Sequence, residues 1–524
     1  MIPRHHLPRS LTLLSLFSIT LAITGCDACG TDGPRDDPGQ QEMGNTNARP
    51  GLDIGTPPNN DGGDMNMIAD MPQEMMDMGA MPDQSTTPDM TSPQDMPGED
   101  MNVPEDMNVP EDMAQAEDMT PPVQTCLSKL ILASTFDIDG NGVAGQYFSR
   151  TAFDGEAIWV VYNKREAAGA GDGDIWAARY ACDGSAMVAP FQVNTGGGMA
   201  NDYHPNLSIR GEDLYFLWSR EEDGANFPVM RAMRTDGTSM MPQEAIITPE
   251  IDGQPLSNLI WETDVTALPN GEAAFTASFA SEKAGTFQVV VQRFDRTGAI
   301  IGDALEAFEE KGVEQTRPSI TSLEDGTLYV SWTRYKPADA AAGTNEEPPR
   351  VVYTRFAPGA TEPDVAGPFP AQPGASGDNQ LSRYSKERTM DGKVYLAFQL
   401  DSTGENDILV KDGTFGAPNA FGTIQGSEID LRPSIAGRVE GGGGAIAWFR
   451  ANPSPIRNSV HVASFQLSNN TFTLGQEVDI PTSDFARPPY GPAITHVSGD
   501  IYFITWSEGS STGNTLIKGR FVKP

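Results

Sequence analysis

Three arginines occupy one position in a recurring phrase. About fifteen residues before a repeated aromatic, at the start of a strand-length run, the chain reads Tyr147, His204, Glu262, Arg317, Arg383, Arg432 and Gly491. An arginine fork grips a carboxylate through two parallel N–H bonds. Arg317, Arg383 and Arg432, brought together, would therefore hold an anionic ligand. The same residues allow a structural account. Arg317 and Arg432 each precede a proline, and an arginine at a strand start can pair with neighbouring acids. A slip of one residue in register would turn every one of these side chains to the opposite face.

A second group is Asp137-Ile138-Asp139-Gly140-Asn141-Gly142. Oxygen ligands at alternate positions followed by glycine make the first half of a calcium loop. Asp137, Asp139 and Asn141 are the candidate ligands, and calcium would be structural. Phe148 stands where the bidentate Glu would be, so a plain Asx/Gly turn is the alternative. No other cofactor is called for.

Other chemistry finds little support. His204, His461 and His496 are too scattered for zinc spacing or a Ser-His dyad. Neither a phosphate-binding loop nor a dinucleotide motif is present. Gly441 to Gly444 is a turn between strands, with no helix after it to hold a phosphate. Glycoside hydrolysis needs two carboxylates at a set separation, and sequence alone does not pair them.

The elements that must position these residues come in seven copies. The recurrent aromatics are Tyr162, Trp218, Phe279, Trp332, Phe398, Trp448 and Trp506. Around each lies a short strand, a Gly/Asp turn, an apolar strand, a loop and another strand. Leu214-Tyr215-Phe216-Leu217-Trp218 is one such apolar strand, and Leu328 to Trp332 is another. All-strand units of this length predict a seven-bladed β-propeller of four-stranded antiparallel blades over residues 126–524. The seventh unit lacks its outer strand, and Leu130-Ile131-Leu132-Ala133 is expected to supply it. An open array or a six-bladed ring is the alternative. Cys126 and Cys182 flank blade one and are expected to pair in an oxidising compartment. Cys29 is left free or bonded between molecules.

The N-terminus supplies an address. Arg4 and Arg9 precede the apolar run 11–23, which is too short to span a bilayer comfortably. Residues 1–25 therefore read as a signal peptide. The junction Ile23-Thr24-Gly25-Cys26 resembles a bacterial lipobox, which implies cleavage before Cys26 and acylation of its thiol. An ordinary signal peptide is the alternative. Residues 26–125 are rich in Asp, Met and Pro, and Met-Asn-Val-Pro-Glu-Asp occurs in tandem at 101–106 and 107–112. Without aromatics or apolar periodicity this segment reads as a disordered acidic tether. Its methionines lack the His or Cys that a copper site would add, so compositional drift explains them better.

The formal charge of −37 argues against nucleic acid as a partner, because a phosphate backbone would be repelled.

The run from Trp159 through Asp174-Ile175-Trp176 to Asp183-Gly184 resembles the sialidase-like, or BNR-like, propeller repeats of exported bacterial proteins. The resemblance is diffuse and mainly architectural. The Asp-box of that family is not cleanly present; Ser322 to Gly326 comes near it in the wrong turn. Sialidases set an arginine cluster against a substrate carboxylate, and the resemblance casts Glu262 and Tyr147 as the acid and phenol partners. Fold alone does not assign function. The expectation is a monomeric, lipid-anchored module of the cell envelope that binds a glycan, acidic glycans included, or an envelope protein, without catalysis. The alternative is a sialidase-like hydrolase or lyase.

Overall fold

Two-residue turns with positive φ cut the chain into antiparallel pairs. In the second unit Asp223 and Gly224 have φ of 53° and 77°, and Glu222 pairs with Ala225 across them. Asp-Gly is the pair such a turn favours, since both central residues need φ above zero. The strands it joins, Asp213–Glu222 and Ala225–Arg234, are preceded by Asn201–Arg210 and followed by Ala245–Ile246.

The computed structural model describes residues 126–132, 134–140, 145–165, 173–195, 200–256, 258–281, 284–337, 347–364, 369–370, 378–384, 392–402, 405–414, 421–424, 429–453, 456–482, 491–509 and 515–524. The signal peptide, Cys26, Cys29 and the tether lie outside the described residues. Among the described residues no helix is long and apolar enough to cross a membrane.

Seven four-stranded antiparallel sheets follow one another. Their innermost strands are Gln146–Phe153, Asn201–Arg210, Leu259–Ala267, Glu314–Ser322, Asp378–Tyr384, Ile429–Gly437 and Ala493–Ser498. Each innermost strand packs against the innermost strand of the next blade, and that of blade seven packs against that of blade one. The chain therefore forms a closed seven-bladed propeller.

Blade seven closes the ring with a strand from the other end of the chain. Thr135–Asp137 pairs with Thr515–Val522, matching Phe136 to Gly519 and Asp137 to Lys518. The predicted closing segment was Leu130–Ala133. It contributes one bridge, Leu132 to Phe521, and Ile131 and Leu132 are 47% and 45% exposed. The physical reason is Phe136, whose ring packs 5.6 Å from Tyr180 and 5.9 Å from Phe503. That aromatic anchor fixes which residues pair. The closure is tied by a disulfide between Cys126 and Cys182, both buried, with Cα atoms 5.2 Å apart.

Seven buried apolar clusters fill the seven blade interfaces. Both faces of a blade are therefore covered, and its middle strands read as continuous apolar runs rather than alternating ones. Leu214 to Trp218 are all 0% exposed. The aromatics Tyr162, Trp218, Trp332, Phe398, Trp448 and Trp506 each join the cluster facing the preceding blade. Phe279 does not. It pairs with Leu259, and Ala277, opposite Thr263, holds the equivalent place in blade three.

Candidate functional site: a ring of bulged residues on the innermost strands

The innermost strands carry a repeated irregularity. In blades one, two, four and six, two residues stand opposite one aromatic. Phe148-Ser149 face Tyr162, His204-Pro205 face Trp218, Arg317-Pro318 face Trp332, and Arg432-Pro433 face Trp448. The first residue of each pair has φ of 54–56°. A β-bulge puts an extra residue into one strand and turns its side chain away from the ladder. Glycine suits the left-handed position, and another residue there costs about 1–2 kcal/mol. Four blades accept that strain at one place with Phe, His, Arg and Arg.

The bulged residues meet around the axis. The rings of Phe148 and His204, on neighbouring blades, lie 4.0 Å apart between centroids. In blade seven Gly491 takes the place. A Cβ on it would stand 2.8 Å from the Arg432 carbonyl oxygen and 2.9 Å from the Arg432 Cβ. Glycine is required at this close approach.

Arg317 is half-buried and, among the described residues, makes no hydrogen bond or ion pair. Glu314, three residues before it, accepts from the Phe287 amide at 3.0 Å instead. Burial raises the Tyr335 phenol pKa, Glu314 raises it further, and the charge of Arg317 opposes both. The Arg432 amide donates to Gln399 Oε1 at 3.3 Å, which links blades five and six beneath the ring.

The structure places the remaining predicted residues as follows. His204, Arg317 and Arg432 lie at the bulge. Glu262, half-buried, stands two residues before Asp264, as Arg317 stands two before Ser319, and Asp264 and Ser319 are hydrogen-bonded neighbours. Tyr147 is one residue short of the bulge. Its ring lies over Gly145 and is 5.6 Å from the Arg165 guanidinium, while Phe148 holds the ring position. Arg383 pairs with Ala397, as Ser319 pairs with Ser331, so it lies two residues beyond the ring. Leu381 is the residue in register, and the Arg383 side chain lies outside the described residues. The arginines in register are thus Arg317 and Arg432. A fixed count back from the aromatic fails in blade five because the run from the bulge to the aromatic is two residues longer there, Leu381 to Phe398 against Arg317 to Trp332 in blade four.

The predicted calcium ligands are divided between two blades. Asp137 pairs with Lys518 of blade seven at 2.5 Å. Asp139 is buried and held by Lys164 at 2.7 Å and by the Tyr162 hydroxyl at 3.1 Å, both from blade one. Asn141 lies outside the described residues. As placed, the two carboxylates serve the blade junction, and among the described residues no three His, Cys, Asp or Glu side chains gather around one point.

Sequence reasoning missed a second repeat. Two residues after the aromatic, in Trp218-Ser219-Arg220, Trp332-Thr333-Arg334 and Trp448-Phe449-Arg450, an arginine is clasped by two acids. Arg220 binds Asp202 at 2.7 Å and Glu244 at 3.1 Å. Arg334 binds Glu310 at 2.6 Å and Glu347 at 2.9 Å. Arg450 binds Asp430 at 2.7 Å and Glu477 at 2.5 Å. Burial works against the charge of Arg220 and Arg450, but their acids outweigh it and hold both pKa values above the ordinary one. The aromatic-x-Arg spacing was the available signal.

No family model matches the chain, and no curated protein matches it. Among solved structures, it is similar to a Dyadobacter fermentans protein of unknown function (9% identity, TM-score 0.44, 75% of this chain and 98% of that one). It is similar to the α-L-arabinofuranosidase of Fusarium graminearum solved with arabinobiose (10% identity, TM-score 0.43, 75% and 98%). It is also similar to Trypanosoma rangeli sialidase solved with an inhibitor (11% identity, TM-score 0.39, 75% and 58%).

Proposed function

We propose that the ring of bulged residues binds an acidic glycan. The observation that carries this reading is Arg317, a half-buried guanidinium with no protein partner among the described residues, held on a strained bulge. A cation in that state favours a carboxylate, which it meets through its N–H fork. Phe148 and His204 offer an aromatic surface on the same ring, of the kind against which the apolar face of a sugar packs. Strain kept in several blades at one register fits a functional site better than a purely architectural one.

Binding is favoured over hydrolysis. Glycosidases work through two carboxylates set about the scissile bond. Glu262 is in register with the ring, whereas the buried acids Asp202 and Asp430 and their companion Glu310 are already clasped by arginines. In this proposal Cys26 carries the lipid that anchors the module at the cell envelope, and the acidic segment 26–125 is the tether between them.

The experiment is a binding titration of the full chain with uronic-acid oligosaccharides and neutral ones of equal length. The acidic series should bind more tightly. Arg317→Ala should weaken it about 10–100-fold, the range for one charged hydrogen-bonding group. Equal affinity for both series, or unchanged affinity after the substitution, would overturn the reading. Loss of palmitate labelling in Cys26→Ser tests the anchor separately.

A further inference from the structure

His461 of blade six sits between a hydroxyl and a carboxylate. Its Nε2 is 2.5 Å from Ser459 Oγ, and its Nδ1 is 2.6 Å from Glu477 Oε1. An ionised carboxylate only accepts, so Nδ1 carries the proton, Nε2 is the acceptor, and the serine hydroxyl donates to it. This is the order of contacts that turns a serine into a nucleophile, with the acid fixing the tautomer and the imidazole taking the hydroxyl proton. The histidine spacing in the sequence did not suggest a Ser-His dyad, yet the fold makes one.

Strand geometry assembles the group. Ser459 and His461 are two apart on the third strand, Ile456–Ser468, and so share a face. Glu477 comes from the outer strand, Thr471–Ile480. The ring of His461 stacks on Trp448 at 5.7 Å and 28°, which fixes its plane. Trp448 belongs to the cluster packed against blade five, so the group lies on the face of blade six that meets blade five. His461 is 5% exposed and Ser459 is half-buried.

Among the described residues, Arg450 lies between Asp430 and Glu477, hydrogen-bonded to both. Asp479 Oδ1 stands 3.8 Å from Nε2. The carboxylates of Glu477 and Asp479 beside the imidazole disfavour anionic acyl groups.

We infer that Ser459, His461 and Glu477 form a nucleophilic site for small neutral carboxylic esters. Ser459 Oγ attacks the acyl carbonyl, and its proton moves to His461 Nε2. The ester C–O bond then breaks, and the same proton goes to the departing alcohol. Water, losing a proton to Nε2, attacks the acyl-serine, and the acid leaves as Ser459 regains its hydrogen. No oxidant, metal or second substrate beyond water is needed. The site is separate from the ring of bulged residues and does not depend on the ligand of that ring.

The test treats the full chain with a fluorophosphonate probe and maps the adduct by peptide mass spectrometry, alongside hydrolysis of p-nitrophenyl acetate. The adduct is expected on Ser459. Ser459→Ala should abolish it and lower hydrolysis at least about 100-fold, consistent with loss of a nucleophile and its general base. Glu477→Gln should lower the rate and move its pH profile while Ser459 still takes up the probe slowly. Ser459→Cys, trapped by iodoacetamide, keeps the test valid if the alanine variant unfolds. An unmodified Ser459 in folded protein, or hydrolysis that survives Ser459→Ala, would overturn the inference.

Discussion

Asp264 of blade three accepts two hydrogen bonds from blade four, from Ser319 Oγ at 2.9 Å and from the Ile320 amide at 3.0 Å. All three groups are buried. The contact belongs to a belt that runs from blade to blade just past the bulges. Thr505 donates to Ser149 at 2.9 Å, Arg150 to Asn206 at 3.2 Å, and Asn206 to the Thr263 carbonyl at 2.5 Å. The belt holds the innermost strands in fixed register, which keeps the bulged residues of neighbouring blades level.

Removing the centre of the belt should therefore cost stability. Asp264→Ala removes the carboxylate that accepts from the Ser319 hydroxyl and the Ile320 amide. A loss of about 2–4 kcal/mol in chemical denaturation is expected, since a hydrogen bond to a charged group contributes about 1.5–3 kcal/mol. Asp264→Asn retains one acceptor oxygen and should recover roughly half. A loss below about 0.5 kcal/mol for the alanine variant would mean that the belt does not hold the blades.

The bulge predicts a trade between stability and binding. Arg317 has φ of 56°, where glycine is free of the Cβ penalty. Arg317→Gly should be about 1 kcal/mol more stable than Arg317→Ala, and both should lose the acidic ligand. The measurement pairs thermal melts with binding titrations of the two variants. Equal melting temperatures would show that the bulge is unstrained.

Much of this architecture was legible because its causes are local. Turn dipeptides such as Asp223-Gly224 and apolar runs such as Leu214 to Trp218 announce themselves within ten residues. Seven aromatics gave the blade number, although Phe279 marked the right blade from the wrong slot. What the sequence concealed depends on pairing between distant segments. The closing strand is Thr135–Asp137 rather than its neighbour because Phe136 finds Tyr180 and Phe503. A run from bulge to aromatic two residues longer than in blade four leaves Arg383 past the ring, and no composition rule signals that difference. The contact of His461 with Glu477 spans two strands and is invisible to any reading of histidine spacing.

Acid should weaken the fold through His496. Burial lowers its pKa below the ordinary 6.5, and nearby Arg438 lowers it further. The hydrogen bond from Nε2 to the Gly499 carbonyl at 3.0 Å and the charges of Asp500 and Glu440 oppose that shift. The folded state thus binds this proton less readily than the unfolded state. The contribution of neutral His496 is fully present above about pH 6.5, falls as the unfolded chain protonates below it, and levels off beneath the folded pKa. Melting temperatures should drop from pH 7 to pH 5.5, and His496→Gln should lessen the drop. Identical pH profiles for the two proteins would remove His496 from the account.

The disulfide offers the last test, because it fastens the junction on which ring closure depends. Cys126 and Cys182 are 56 residues apart in sequence, and both side chains sit in the cluster shared by blades seven and one. Cross-linking a loop of that length restricts the unfolded chain by about 4 kcal/mol at 25 °C in the chain-entropy account. Cys182→Ser should destabilise the protein by roughly 2–4 kcal/mol, with strain and residual unfolded structure setting where it falls. A reductant should reproduce the loss in the parent and leave the variant unchanged. Because Thr135–Asp137 lies between the two cysteines, hydrogen exchange should rise first along that strand and along its partner Thr515–Val522. Faster exchange spread evenly over all seven blades would instead mean that the ring opens as one unit, with no weak seam at blade seven.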